Sequence, residues 1–246
     1  MRKLAILLFI STFLASCQDD TGTLQLKFLA TYDEAPLVLG ENVAYDDYQL
    51  NFLESDFFIS ELALTNEGEV TQIKDIDFVD FTNTNFTLEN AENGFILTYN
   101  DVPTGSFDGL RFGIGVPPSL NATRPSDYSS DEVLAQGGYY WEPWSSFIFA
   151  KLAGKYQDEQ GSFDNGFFFH TGTDDLFRTS ETALNISISE DNTTVIEITM
   201  DHKKLLEMQS GEFYDIQNNS ANHDPTDPIP LLLLVNNYSD AINYNQ

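Results

Sequence analysis

The feature that most narrows the folds open to this chain is a two-residue alternation of apolar and polar side chains that recurs along it. No sustained helical period competes with it. Residues 184–188 (Leu-Asn-Ile-Ser-Ile) and 194–200 (Thr-Val-Ile-Glu-Ile-Thr-Met) alternate cleanly, and Asp191-Asn192 between them supplies a turn. Residues 24–28 alternate in the same way. Residues 48–53 and 56–64 read as two strands, closed by a turn at Asn66-Glu67-Gly68, and residues 73–81 and 95–99 read as two more. Residues 107–116 form a strand thinned by Gly113 and Gly115 and stopped by Pro117-Pro118. Residues 147–153 and 166–170 are aromatic-rich strands. Loops or hairpins are expected at 32–47, 119–138 (with one helical turn near 129–135) and 218–230, and a short helix at 202–208. The C-terminal apolar run fits either a strand or a helix. Parallel sheets need helices between their strands, and none is visible. The fold class is therefore all-β, an antiparallel β-sandwich with long loops and few short helices.

Such a sandwich must hold together without disulfides, because Cys17 is the one cysteine in the chain. Twenty Phe and 41% hydrophobic residues are enough for a core. Cys17 has another use. Met1-Arg2-Lys3 is followed by an apolar run too short to span a bilayer, which ends in Leu14-Ala15-Ser16-Cys17. Small residues before a cysteine suit a lipoprotein signal peptidase. The alternative is an ordinary secretory signal with a chance cysteine. Residues 1–16 are thus expected to be a signal peptide, 17–23 a tether lipidated at Cys17, and 24–246 one domain. The Gln18-Asp19-Asp20 that follows resembles the surface-export signal of Bacteroidota lipoproteins. The expected location is the outer membrane, facing the medium, with the periplasmic face as the alternative. No other segment is long and apolar enough to cross a membrane; residues 231–235 are a strand-sized run.

The formal charge is −28, and loss of the signal peptide removes two of the positive residues, Arg2 and Lys3. That field repels nucleic acid and anionic lipid, so contact with a membrane is expected through the lipid anchor alone. Solubility explains the charge; attraction of cations is the functional alternative. Catalytic signatures are missing: there is no Gly-x-Ser-x-Gly, P-loop, His-Glu-x-x-His or Gly-x-Gly-x-x-Gly. Asp174-Asp175 and Asp46-Asp47 are the pairs that calcium would use, although isolated acidic pairs are usually solvated faces. His170 closes a Phe triplet, His202 lies beside Lys203 and Lys204 and is expected to be exposed, and His223 lies in a loop. Their spacing carries no metal signature. The most unusual segment is Tyr139-Tyr140-Trp141-Glu142-Pro143-Trp144, which holds both tryptophans. It reads as core or rim packing, or as a ligand platform.

Several blocks, in order, resemble the MbnP-like family of copper-binding proteins associated with methanobactin. They are residues 57–64 (Phe-Phe-Ile-Ser-Glu-Leu-Ala-Leu), 78–81 (Phe-Val-Asp-Phe), 102–116, Tyr140-Trp141 leading to 147–154, and 168–172 (Phe-Phe-His-Thr-Gly). The resemblance implies a β-rich extracytoplasmic domain that works beside a di-haem cytochrome c peroxidase-like protein or outer-membrane transport machinery. It also implies copper held by histidines and an oxidisable tryptophan. By position Trp141 matches that tryptophan, His170 the His-x-Gly histidine, and His223 the far-downstream histidine. Copper-binding members place a histidine close after the tryptophan, whereas Glu142, Pro143 and Trp144 follow here. Copper is therefore the expected cofactor, for capture or delivery without catalysis. The alternative is a surface module that docks a protein or glycan on Tyr139, Tyr140, Trp141 and Trp144, with no metal.

Overall fold

The computed structural model describes residues 20–222 and 229–245. The expected signal peptide, Cys17 and His223 lie outside the described residues. The elements in chain order begin with β1 (Thr21–Tyr32), β2 (Ala35–Pro36), β3 (Asn42–Tyr45), β4 (Tyr48–Asn66), β5 (Glu69–Asp80), α1 (Leu88–Asn93), β6 (Phe95–Pro103), β7 (Gly105–Ile114) and α2 (Pro118–Asn121). They continue with β8 (Tyr140–Trp141), β9 (Ser146–Tyr156), β10 (Asn165–Gly172), β11 (Arg178–Ile188), β12 (Thr193–Asp201), α3 (His202–Leu205), β13 (Ala221–Asn222), α4 (Ile229–Ala241) and β14 (Ile242–Asn245).

The strands form two sheets. One runs β14-β12-β1-β2, with β6 also paired to β1; the other runs β11-β7-β4-β9-β10-β13, with β3, β5 and β8 attached. Most pairings are antiparallel, as the hairpin-rich sequence predicts. Two are parallel: β1 with β12, from Thr23↔Thr193 to Thr31↔Asp201, and β10 with β13. A parallel pair needs a long return connection. For β1 and β12 nearly the whole domain is that connection, so no crossover helix is required.

The stretches 48–53 and 56–64 prove to be one strand. β4 carries a bulge between Phe52 and Glu54 where two strands were expected. It pairs along one side with β3 and then β5, and along the other with β9 and then β7. Asp191 turns the chain with φ 57°, but β11 and β12 then part into different sheets. The C-terminal run becomes a helix, α4, followed by the edge strand β14.

The main core lies between the sheets and is rich in aromatics. Phe28 meets Phe57 and Phe112 edge-on, with centroids 5.8 and 6.2 Å apart. A second cluster, of Phe58, Phe78, Val116, Leu134, Phe147 and Phe149, is separate from it. Successive residues of a strand point to opposite faces. Phe57 faces the inter-sheet core and Phe58 the second cluster, so β4 is buried on both faces and shows no simple alternation. The expected loop at 119–138 is the cover over that second face. It is built from α2 and short 3-10 turns at Pro125–Asp127, Val133–Ala135 and Gly137–Tyr139, and it packs Leu120, Tyr128, Val133 and Leu134 against the aromatics.

Candidate functional site

The aromatic segment leaves this cover and returns into β9 as a tight hairpin. Tyr140 and Trp141 pair with Phe147 and Ser146. A 3-10 turn, Glu142–Trp144, joins them, with Pro143 early in the turn and Ser145 left-handed (φ 49°) at its end. Pro143 is therefore a turn former. Tyr139 and Tyr140 belong to the packing: Tyr139 meets Phe78 at 4.7 Å and Phe58 at 5.7 Å between centroids, and Tyr140 meets Phe147 at 5.1 Å. Trp141 is 40% exposed and stands edge-on to Trp144, 6.3 Å away. Trp144 rests on Gly172, where an added Cβ would lie 2.6 Å from its six-membered ring and 2.8 Å from the Phe147 carbonyl oxygen. Gly172→Ala is expected to displace Trp144 at a cost of about 1–3 kcal/mol. Tryptophan emission would report it; an unchanged spectrum and melting point would show that the contact is loose.

His170 lies on β10. Its neighbours Phe167 and Phe169 point into the inter-sheet core, so alternation turns His170 and Phe168 to the opposite face. It is half-buried, with its ring 5.6 Å from that of Phe168. The ladder registers set a row of side chains across four strands: Asp80 on β5, Asp56 on β4, Lys151 on β9 and His170 on β10. Directly opposed residues share a face. The Lys151 ammonium sits 4.0 Å over the Tyr139 ring.

Asp56 is the buried carboxylate of this row. It accepts from the Thr82 backbone N–H (3.0 Å), the Thr82 hydroxyl (2.5 Å) and the Tyr139 hydroxyl (2.9 Å). Burial pushes its pKa up to about 6 against those three bonds, and Asp80 adds to the rise. The Tyr139 phenol is pushed up by its own burial and by the Asp56 charge.

His202, expected to be exposed, is fully buried. Asp201 caps α3 by accepting from the Lys203 N–H, and the imidazole continues the inward parity of Ile196, Ile198 and Met200. Its Nδ1 faces the carbonyl oxygens of Thr31 (3.2 Å) and Met200 (3.1 Å), so Nδ1 carries the proton. Nε2 then accepts from the Ser55 hydroxyl at 2.7 Å. Burial lowers its pKa to about 4. With both nitrogens used and no exposure, His202 is a structural tie between the sheets. The Ser55–His202 pair has the look of a nucleophile and base, but it is sealed from substrate, and its Nδ1 meets carbonyls instead of a carboxylate.

Trp141 and His170 share β9 as a neighbour but not a position. Trp141 pairs at Ser146 and His170 at Lys151, about 16 Å apart along the strand at the usual rise. β13 ends at Asn222 opposite Phe169, the residue before His170; His223 follows Asn222 in sequence. Among the described residues no three His, Cys, Asp or Glu side chains come together as a metal cluster. Asp174 instead accepts from the Asn121 amide at 2.8 Å, and Asp46 sits left-handed in the turn between β3 and β4.

A family model described as MbnP matches residues 21–225. No curated protein matches the chain. Among solved structures, MbnP from Methylosinus trichosporium is similar, with a TM-score of 0.55 and 13% identity, over 86% of this chain and 87% of that one. At that identity the likeness is one of fold.

Proposed function

Since the chain belongs to the MbnP family, we propose that it is a copper-capturing lipoprotein, anchored by Cys17 at the outer membrane. It would hold the ion near His170, His223 and Trp141 and pass it on without turnover of its own. The observation that carries this reading is the placement of His170. It is a half-buried imidazole on a rigid strand, outside the hydrophobic core, and the next strand of the sheet ends one residue before His223. Imidazole suits copper among the donors this chain offers. The fit is partial, because His170 is the one candidate histidine among the described residues, its Nε2 is itself enclosed, and Lys151 stands opposite it. The Lys151 ammonium sits over the Tyr139 ring, 4.0 Å from its centroid. For Trp141 to join the ion, the hairpin at 140–147 would have to shift along β9.

Surface display, and delivery to a di-haem cytochrome c peroxidase-like protein or to transport machinery, follow from the sequence resemblance and belong to the same proposal. No helix of the described residues is long and apolar enough to cross a membrane, so attachment through lipid is the route proposed. A second reading rests on the exposure of Trp141: a docking module for a protein or glycan, without metal.

The test is metal content and intact mass of the protein from its native host, followed by copper titration of parent and variant. The parent is expected to bind one copper per chain. His170→Ala should weaken it by at least about a hundredfold, the upper range for loss of a supporting group around a metal. A mass gain at Trp141 would add tryptophan oxidation. No copper, or binding indifferent to His170→Ala, sinks the copper reading and favours the docking module.

A further inference from the structure

A cavity of 430 Å³ opens where α2, the hairpin end and the turn after β10 meet. Its walls include Trp144, Ser145, Asn121, Thr173, Asp174 and Asp175. It is independent of His170 and of the copper reading. Its volume falls within the range of about 300–1,000 Å³ typical of small-molecule sites. Each wall is held by its own contacts. One side of the Trp144 ring rests on Gly172, which has no Cβ to push it away. Asn121 is 7% exposed; its carbonyl oxygen accepts from the Phe147 N–H (2.8 Å) and the Ser146 hydroxyl (3.0 Å), and its amide donates to Asp174 Oδ1 (2.8 Å). The Ser146 hydroxyl in turn accepts from the Thr173 N–H at 2.9 Å.

Thr173 is held at φ 69°, ψ 149°, a region a β-branched residue avoids, and Ser145 at φ 49°. Strained backbone of this kind persists only where its surroundings fix it, and it gathers at binding sites. Here both strained residues stand in the wall of one cavity. The result is a fixed, half-exposed tryptophan beside exposed carboxylates, one of them oriented by a buried amide, with no Lys or Arg in the wall.

We propose that this cavity is a carbohydrate subsite that takes a neutral pyranose. The apolar face of the sugar ring stacks on Trp144, and its hydroxyls donate to Asp174 and Asp175. An aromatic wall in the same cavity as carboxylate acceptors suits a ligand that is apolar on one face and rich in hydroxyl donors around its rim. An anionic ligand is excluded by the two carboxylates.

The test is titration of the full chain with the methyl glycosides of glucose, galactose, mannose and N-acetylglucosamine. Binding is followed by saturation-transfer NMR and tryptophan emission, with tetramethylammonium as a cationic probe. At least one glycoside is expected to bind saturably in the millimolar range. Loss of the stacked ring in Trp144→Ala should weaken it by about tenfold or more. Trp144→Ala also removes packing on Gly172, so Asp175→Ala, an exposed change, is the second variant; it should weaken the same glycoside while leaving the thermal midpoint unchanged. Failure of all four glycosides to saturate, or binding indifferent to both substitutions, overturns the proposal. Tetramethylammonium binding more tightly than every glycoside would make the cavity an organic-cation site and overturn it equally.

Discussion

His202→Ala should lower stability by about 4 kcal/mol, more than any surface change, as read from urea unfolding midpoints. Two effects combine. A fully buried ring that packs on Phe52 and Phe81 is lost and leaves a cavity. The Ser55 hydroxyl is also orphaned on β4, as are the carbonyls of Thr31 and Met200 on the other sheet. A buried polar group left without a partner costs about 1–3 kcal/mol. Ser55→Ala alone should cost less, because it strands a single ring nitrogen. If His202→Ala costs under about 1 kcal/mol, the tie between the sheets is not the structural element assigned here.

Asp56→Asn is expected to steepen the loss of stability in acid. The two buried titrating groups act in opposite directions. His202 falls from 6.5 to about 4 in the folded protein, so the native state resists protonation. Its stabilisation is full above pH 6.5 and is lost as pH falls toward 4. Asp56 rises from 3.8 to about 6, so its ionised form burdens the native state above pH 6, and that burden is relieved as pH falls toward 3.8. The shifts are similar in size and overlap in range, so in the parent they largely offset. Removing the Asp56 titration leaves His202 unopposed. The variant should then lose about 3 kcal/mol relative to the parent between pH 6.5 and 4. Acids remote from position 56 are common to both proteins, so the difference between them reports the change at Asp56. Parallel stability curves for parent and variant across that window would refute the opposed pairing.

Much of this architecture could be read from alternation, and the misses have physical causes. Strands β1, β11 and β12 announce themselves because each sends every second side chain inward, whereas β9 and β10 show by their aromatic content. The sequence divides β4 in two because polar Glu54 and Ser55 follow a hydrophobic run; the bulge and burial on both faces, which only the tertiary fold supplies, make it continuous. His202 was legible in principle, since it extends the parity of Ile196, Ile198 and Met200, but Lys203 and Lys204 beside it suggest a solvated patch. Asp56 is one of 39 acids. Its one clue is that it precedes Phe57-Phe58, a pair that can both be buried only in a strand covered on two sides. Of the candidate site, the sequence marks the segment with both tryptophans as unusual and, through the family resemblance, points to His170. It could not place them about 16 Å apart along β9, because that spacing is set by the pairings of β8 and β10 with β9. The cavity beside Trp144 was not legible either, since its walls come from three separate stretches of chain.

The parallel pairing of β1 with β12 has a consequence for the order in which the molecule assembles. Among the described residues β1 is the first strand and an interior member of its sheet, yet the partner on one side lies about 170 residues downstream, as the Thr31–Met200 contact shows. Ladders such as β4–β5 and β9–β10 join strands near in sequence and can zip as soon as their turns emerge. The five-stranded sheet cannot, because its central strand must wait for the last third of the chain. Contacts of such high sequence separation close late and slowly. Until then β1 has β6 as its ladder partner on one side only, and Leu24, Leu26 and Phe28 lack the β12 side of their core. The edge of β1 that β12 covers therefore stays open until the last third of the chain has been made.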